Sequence, residues 1–203
     1  VYFTGLDELV QIGHKAYSRQ VFASGAIAAA RYLLRRKPGL YNMQDVLNEA
    51  SAITTVYTYP GEAVVTLDDF PNTMDAIADL YGRFASADVF IDMISHSGSP
   101  GDPLSLSFTV NSADVGKTRD LLARMSPAWP ESKASIVDNT TKITVEGPGM
   151  EFQSGVAWRL FACMAKAGVH ILAVTTSEIK ISYIVVNEDV DRAVEGIRSE
   201  FGV

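Results

Sequence analysis

One cysteine, Cys163, stands in a chain of 203 residues. A single thiol excludes an intrachain disulfide and any cysteine-rich zinc site. Basic residues are few: 17 Lys and Arg face 24 Asp and Glu, for a formal net charge of −7. Nucleic-acid and anionic-membrane surfaces need a basic footprint, so neither partner is expected. No apolar run approaches the roughly 20 residues of a membrane helix. No stretch has the layout of a secretory leader, and a cytoplasmic protein is the expectation. His14, His96 and His170 lie far apart without ligand spacing, so no metal is expected. Gly147-Pro148-Gly149 is followed by Phe152 where a third glycine would be needed, so the dinucleotide fingerprint fails. A phosphate-binding loop with its lysine is also missing. Ser154 lacks the flanking glycines of a nucleophile elbow. Cys163, between Leu160, Phe161 and Met164, reads as a packed core thiol. No cofactor is called for, and no catalytic motif says whether the chain serves an enzyme.

What is present is a globular composition, 47% hydrophobic and 20% charged, long enough for one or two small domains. Leu9-Val10-Gln11-Ile12 predicts a short strand. Ser18 then caps a predicted helix from about Arg19 to Arg36, with Val21, Phe22, Ala26, Ala29, Ala30, Leu33 and Leu34 at helical spacing. Lys37-Pro38-Gly39 ends it, and a short second helix is expected from Met43 to Asn48. Such a fragment buries little alone and is expected to pack on something else.

From Ala52 onward strands alternate with helices. Strands are predicted near 52–59, 62–68, 89–97 and 104–110, with helices near 73–86 and 113–125. A second set has strands near 134–137, 142–147, 169–177 and 179–186, with helices near 152–167 and 189–200. Gly61, Gly98-Ser99-Pro100-Gly101 and Asn139-Thr140 are the expected turns. A shift of 80 superposes the sets: Val65 falls on Val145, Leu80 on Leu160, Ala85 on Ala165, Val89 on Val169, Ile91 on Ile171 and Ser97 on Ser177. This internal repeat predicts an α+β fold of two ferredoxin-like βαββαβ units packed together, with a ligand crevice between them. The expected boundaries are 1–50, 51–128 and 129–203.

The segments Gly147-Pro148-Gly149-Met150, Ser154-Gly155-Val156-Ala157 and Ala167-Gly168-Val169-His170-Ile171 resemble the second ACT unit of aspartokinases. Thr175-Thr176-Ser177-Glu178-Ile179-Lys180-Ile181-Ser182 resembles that family's strand-turn-strand. Asp69-Phe70-Pro71-Asn72 and Ile91-Asp92-Met93-Ile94 resemble the partner ACT unit, with Asn72 where the family usually has glycine. A different enzyme of the same pathway is echoed earlier. His14, Ala16, Ser18-Arg19, Phe22-Ala23, Gly25-Ala26, Pro38-Gly39-Leu40-Tyr41, Met43 and Asp45-Val46-Leu47 resemble the C-terminus of dihydrodipicolinate reductase. That reductase's nucleotide loop and His-His-x-x-Lys substrate motif are not in this chain.

The resemblance implies an amino-acid-binding regulatory module of aspartate-to-lysine biosynthesis, sensing lysine or else threonine, in a homo-oligomer with a dimer expected. Helix-start N–H groups in the loops from Asp68 to Thr73 and from Gly147 to Gly155 are donors for the effector carboxylate. Asn72, Thr73, Gln153 and Ser154 cap those helices with or without ligand. Gly149 and Gly155 let a ligand approach the backbone. Asp69, Asp92 and Glu178 supply negative charge for an amino group. Met93, Met150, Ser95, His96, Thr175, Thr176 and Ser177 complete the candidate lining, His96 standing where the family commonly has an amide. Two other readings stay open: the C-terminal part of a dihydrodipicolinate reductase fusion that helps assemble the reductase, or a structural oligomerisation module without ligand.

Overall fold

The computed structural model describes residues 1–4, 6–34, 36–43, 45–46, 52–99 and 101–203. The chain divides into two compact units, Val1–Ala50 and Ser51–Val203.

In the first unit β1 (Tyr2–Thr4) pairs antiparallel with β2 (Leu9–Gln11), and the Val1 ammonium donates to the Ile12 carbonyl at 2.7 Å. Sequence periodicity found β2 but not β1, which is only three residues long. Helix α1 (Gln20–Leu33) starts where Ser18 Oγ accepts from the Gln20 N–H at 3.1 Å, and stops three residues before Arg36. Phe3, Phe22 and Leu33 remain more than half exposed, as a fragment too small for its own core requires. Gln44, Leu47 and Asn48, in the expected second helix, lie outside the described residues, as does Pro100 of the glycine-rich turn.

The second unit is built on two long antiparallel strands, β3 (Thr55–Phe70) and β6 (Lys133–Glu146), paired from Thr55↔Glu146 to Asp68↔Lys133. Sequence reading split each strand in two. Gly61 (φ +82°) and Asn139 (φ +58°) are not turns but bulges within continuous strands, where register shifts around Glu62 absorb the extra residues. The other elements are α2 (Met74–Ser86), β4 (Ile91–Ser97), β5 (Leu104–Asn111), α3 (Val115–Met125), α4 (Val156–Ala167), β7 (Ala173–Thr176), β8 (Lys180–Val186) and α5 (Val190–Phe201). The sheet order is β4-β5-β3-β6-β8-β7. Strand β7 begins later than the apolar run from Val169 predicts, because Val169 and Ile171 pack into the core before the strand starts.

Each long strand serves both sandwiches. Residues 62–70 of β3 pair with β5, and Ala63, Val65 and Leu67 pack with Leu80, Phe84, Leu106 and Phe108 under α2 and α3. The earlier part belongs elsewhere: Ala52, Ile53 and Val56 pack with Ile143, Val145, Leu160, Tyr183 and Ile197 under α4 and α5. The first sandwich is thus nested inside the second in sequence: Ile53 and Val56 pack in the second although they precede the first, and Ile136 packs against the first although it lies beyond residue 128.

Strand pairing also corrects the repeat offset. Val65 faces Phe108, and Ile143 faces Tyr183, so Val65 corresponds to Ile143 rather than Val145. The shift by 80 kept the apolar parity of the strands because it errs by two, one full period. On the helix-free face Val64, Met93 and Ile184 meet, with Leu172 and Ala173 packed against them. Both sandwiches contribute to this small seam.

Candidate functional site

The candidate loops lie at opposite ends of the β3–β6 ribbon. Asp68, at the start of one loop, pairs with Lys133, and Glu146, before the other, pairs with Thr55. Those ends are roughly 40 Å apart at 3.3 Å per residue. Within one chain the two loops therefore do not face each other, because antiparallel pairing of the long strands sends them in opposite directions. Four cavities lined by described residues each draw their walls from a single sandwich.

At the first sandwich's end, Asp69 (φ +55°) pairs with the Lys133 ammonium at 2.9 Å. The Asn72 amide donates to the carbonyls of Ser99 and Asp102 at 3.1 and 3.0 Å. Thr73 caps α2, its Oγ1 accepting from the Ala76 N–H at 3.3 Å. All three side chains are thus spent on local structure.

The second sandwich's end is different. The Gly147 N–H donates to the Ile179 carbonyl at 3.0 Å, which sets the loop from Gly147 to Gly155 against the turn at Thr176, Ser177 and Glu178. Gly147 is needed for close approach: a Cβ there would lie 2.0 Å from the Ala52 carbonyl oxygen. Helix α4 starts at Gly155, held at φ +85°, and has no side-chain cap. The N-cap glycine of α4 thus supplies no side-chain acceptor, whereas Thr73 supplies one to α2. Ser154, Thr176, Ser177 and Glu178 are exposed beside them, Gln153 is half-buried, and Met150 packs against the core.

Asp92 and Met93 belong to neither end. Asp92 faces Thr109, which also faces Val64, six residues or roughly 20 Å along β3 from Phe70. Asp92, the second residue of β4, lies at the middle of the ribbon as an ion-paired strand residue rather than beside a helix start. Its carboxylate accepts from the Met93 N–H at 2.8 Å and from Lys142 Nζ at 2.7 Å. Met93, at φ +47°, is buried in the helix-free seam.

Lys142 comes from the second sandwich's part of β6. Its ammonium also lies 3.6 Å from Glu62 and 5.2 Å from the Tyr59 ring centre. The hydrogen bond from Lys142 lowers the Asp92 pKa, against the opposing effect of burial. Burial raises that of Glu62, only partly offset by the Lys142 charge. Burial works against the Lys142 ammonium, yet Asp92 and Glu62 together carry its pKa upward. This cluster clamps the two sandwiches. Sequence reasoning missed it because Lys142 and Glu62 look like ordinary surface charges until β3 and β6 are paired.

Residues 143–201 match the ACT domain family, and residues 1–47 match the dihydrodipicolinate reductase C-terminus family. The ACT match begins within β6, in the part of the strand that has entered the second sandwich. The aspartate kinase of Stutzerimonas stutzeri is 28% identical over 140 residues, 69% of this chain and 34% of its own length. An aspartate kinase structure from Synechocystis is 28% identical with a TM-score of 0.70, covering 76% of this chain and 28% of that one. The ligand-free regulatory subunit of aspartate kinase from Thermus thermophilus shares the fold at 23% identity and a TM-score of 0.64, covering 74% of this chain and 99% of that one. The chain spans 33–43% of the length of the curated aspartokinases it matches. Residues 143–201 are thus similar to ACT domains, in a stretch whose relatives and structural neighbours include aspartokinases and their regulatory subunits, and residues 1–47 are similar to the dihydrodipicolinate reductase C-terminus.

Proposed function

We propose that residues 52–203 are an amino-acid-sensing module that binds lysine, with threonine as the second candidate, and regulates an enzyme of aspartate-to-lysine biosynthesis. The observation that carries this reading is the end of the second sandwich. An uncapped helix N-terminus offers N–H donors to a carboxylate, and Glu178 stands on the adjoining turn to take a cationic amino group. The E. coli aspartokinase III, a relative in fold at 16% identity, has been solved in complex with lysine and aspartate. Because the loops of one chain point apart, a site drawing on both is completed by a second copy, and the working form is a homo-oligomer. Asp92 acts in the clamp that transmits the change between sandwiches, not on the effector's α-amino group.

The experiment is lysine titration of the full chain by calorimetry, with Glu178→Gln as the variant. Saturable binding weakened about tenfold in Glu178→Gln supports the site. Binding unchanged in that variant removes Glu178, and no binding of lysine or threonine at millimolar concentration overturns the sensor. The reductase-like match of residues 1–47 favours a second reading, in which this chain helps assemble a dihydrodipicolinate reductase. Reductase activity that appears only when this chain is mixed with an N-terminal reductase fragment would support it.

A further inference from the structure

The two sandwiches differ beneath their last helices. In the second, Val194 and Phe201 of α5 pack into the core with Ile53 and Val56. In the first, a cavity of about 310 Å³ opens under α3, walled by Leu67, Met125, Trp129 and Ile136. Counted from the helix starts Val115 and Val190, Arg119 takes the place of Val194, and Ser126 that of Phe201. A hydroxyl and a guanidinium therefore stand where the sister sandwich has a phenyl ring and an isopropyl group.

Its chemistry is one-sided. Among the described residues that line it, Arg119 is the charged one and none is a carboxylate. Asp138, whose carboxylate feels the Arg119 charge, is already hydrogen-bonded by the Ser112 hydroxyl and the Asn139 N–H. We propose that this cavity binds a small monocarboxylate with an aromatic or branched apolar body, the body against Trp129 and Ile136 and the carboxylate on Arg119. Such a pocket, mostly apolar with one placed charge, has the composition and size of small-molecule sites, and a guanidinium holds a carboxylate by two parallel hydrogen bonds. A free amino acid is disfavoured here, since its ammonium finds no carboxylate on the walls. The site is thus separate in place and in ligand from the lysine site at the end of the second sandwich.

The test is titration of the full chain with 3-phenylpropionate, followed by Trp fluorescence and by NMR, with 3-phenylpropionamide and phenylalanine as comparison ligands. The acid should bind saturably at millimolar or lower concentration, and the amide and phenylalanine about tenfold more weakly or worse. Ser126→Phe, which supplies the ring that the sister sandwich has, should abolish binding. Arg119→Gln, an exposed substitution that leaves the core untouched, should weaken it about tenfold. No saturable binding of the acid overturns the proposal, as does equal affinity for acid and amide or unchanged affinity in both variants. A Ser126→Phe chain that changes its association state while the wild-type chain ignores the acid would assign this face to a second copy instead, and also overturns it.

Discussion

The two sandwiches share one plan and differ in what they do with their loops and core ends. The first spends its loop on itself: Thr73 caps α2, Asn72 bridges two carbonyls and Asp69 holds Lys133. The second leaves α4 uncapped behind two glycines yet fills its core to the end of α5. The same plan thus carries a side-chain cap at the loop of one sandwich and a glycine cap at the loop of the other.

The comparison breaks most severely at Phe201. Phe201→Ala should cost about 3–5 kcal/mol, since the ring closes the core that Ser126 leaves open in the sister sandwich. Urea unfolding at neutral pH measures this, and a loss below about 1 kcal/mol would mean that the ring is not a core element. Gly147→Ala comes next, at about 2 kcal/mol, because its Cβ would collide with the Ala52 backbone. That loss should appear with α4 and α5 opening first in hydrogen exchange, while α2 and α3 stay protected. Thr73→Ala should cost about 1 kcal/mol through the lost cap. Serine or asparagine at the same position should restore most of it.

The smallest effect is at the clamp. Asp92→Asn should cost under about 1 kcal/mol at neutral pH, because Asp92 is half exposed and its pairing is screened. Its pH dependence is more informative. The Asp92 pKa lies below the ordinary value of 3.8, so its contribution is complete above that value and fades as pH falls through the lower folded one. Glu62 works in the opposite sense, since its raised pKa favours the folded state as pH falls through the raised value toward 4.5. Asp92→Asn should therefore flatten the acid limb of the stability profile below the ordinary carboxylate value of 3.8. An acid limb identical to wild type would remove the clamp.

Much of the fold was legible because strand and helix periods differ. Leu80 on α2 and Leu160 on α4, superposed by the repeat, both lie in the cores, and Cys163 is packed beside Leu160 as expected. The long strands were not legible as such. Gly61 and Asn139 are turn residues by chemistry, and only pairing across the whole ribbon converts them to bulges. Nor is the nesting of one sandwich within the other visible in a one-dimensional repeat, since Val56 looks equally fit for either core. Of the candidate site, the sequence grouped Met150, Gln153, Ser154, Gly155, Thr176, Ser177 and Glu178 by resemblance, and the structure places their loop and turn together. It also drew Asp92 toward the loops, because a lone acid in an apolar strand resembles a ligand when its partner, Lys142, is fifty residues away.

Thermal unfolding of the full chain with and without lysine bears most directly on the sensor. Lysine at about 100 times its dissociation constant should stabilise the chain by about 2.7 kcal/mol, with Glu178→Gln shifting less at the same concentration. Melting midpoints that stay fixed with millimolar lysine, threonine, methionine and diaminopimelate would contradict the account.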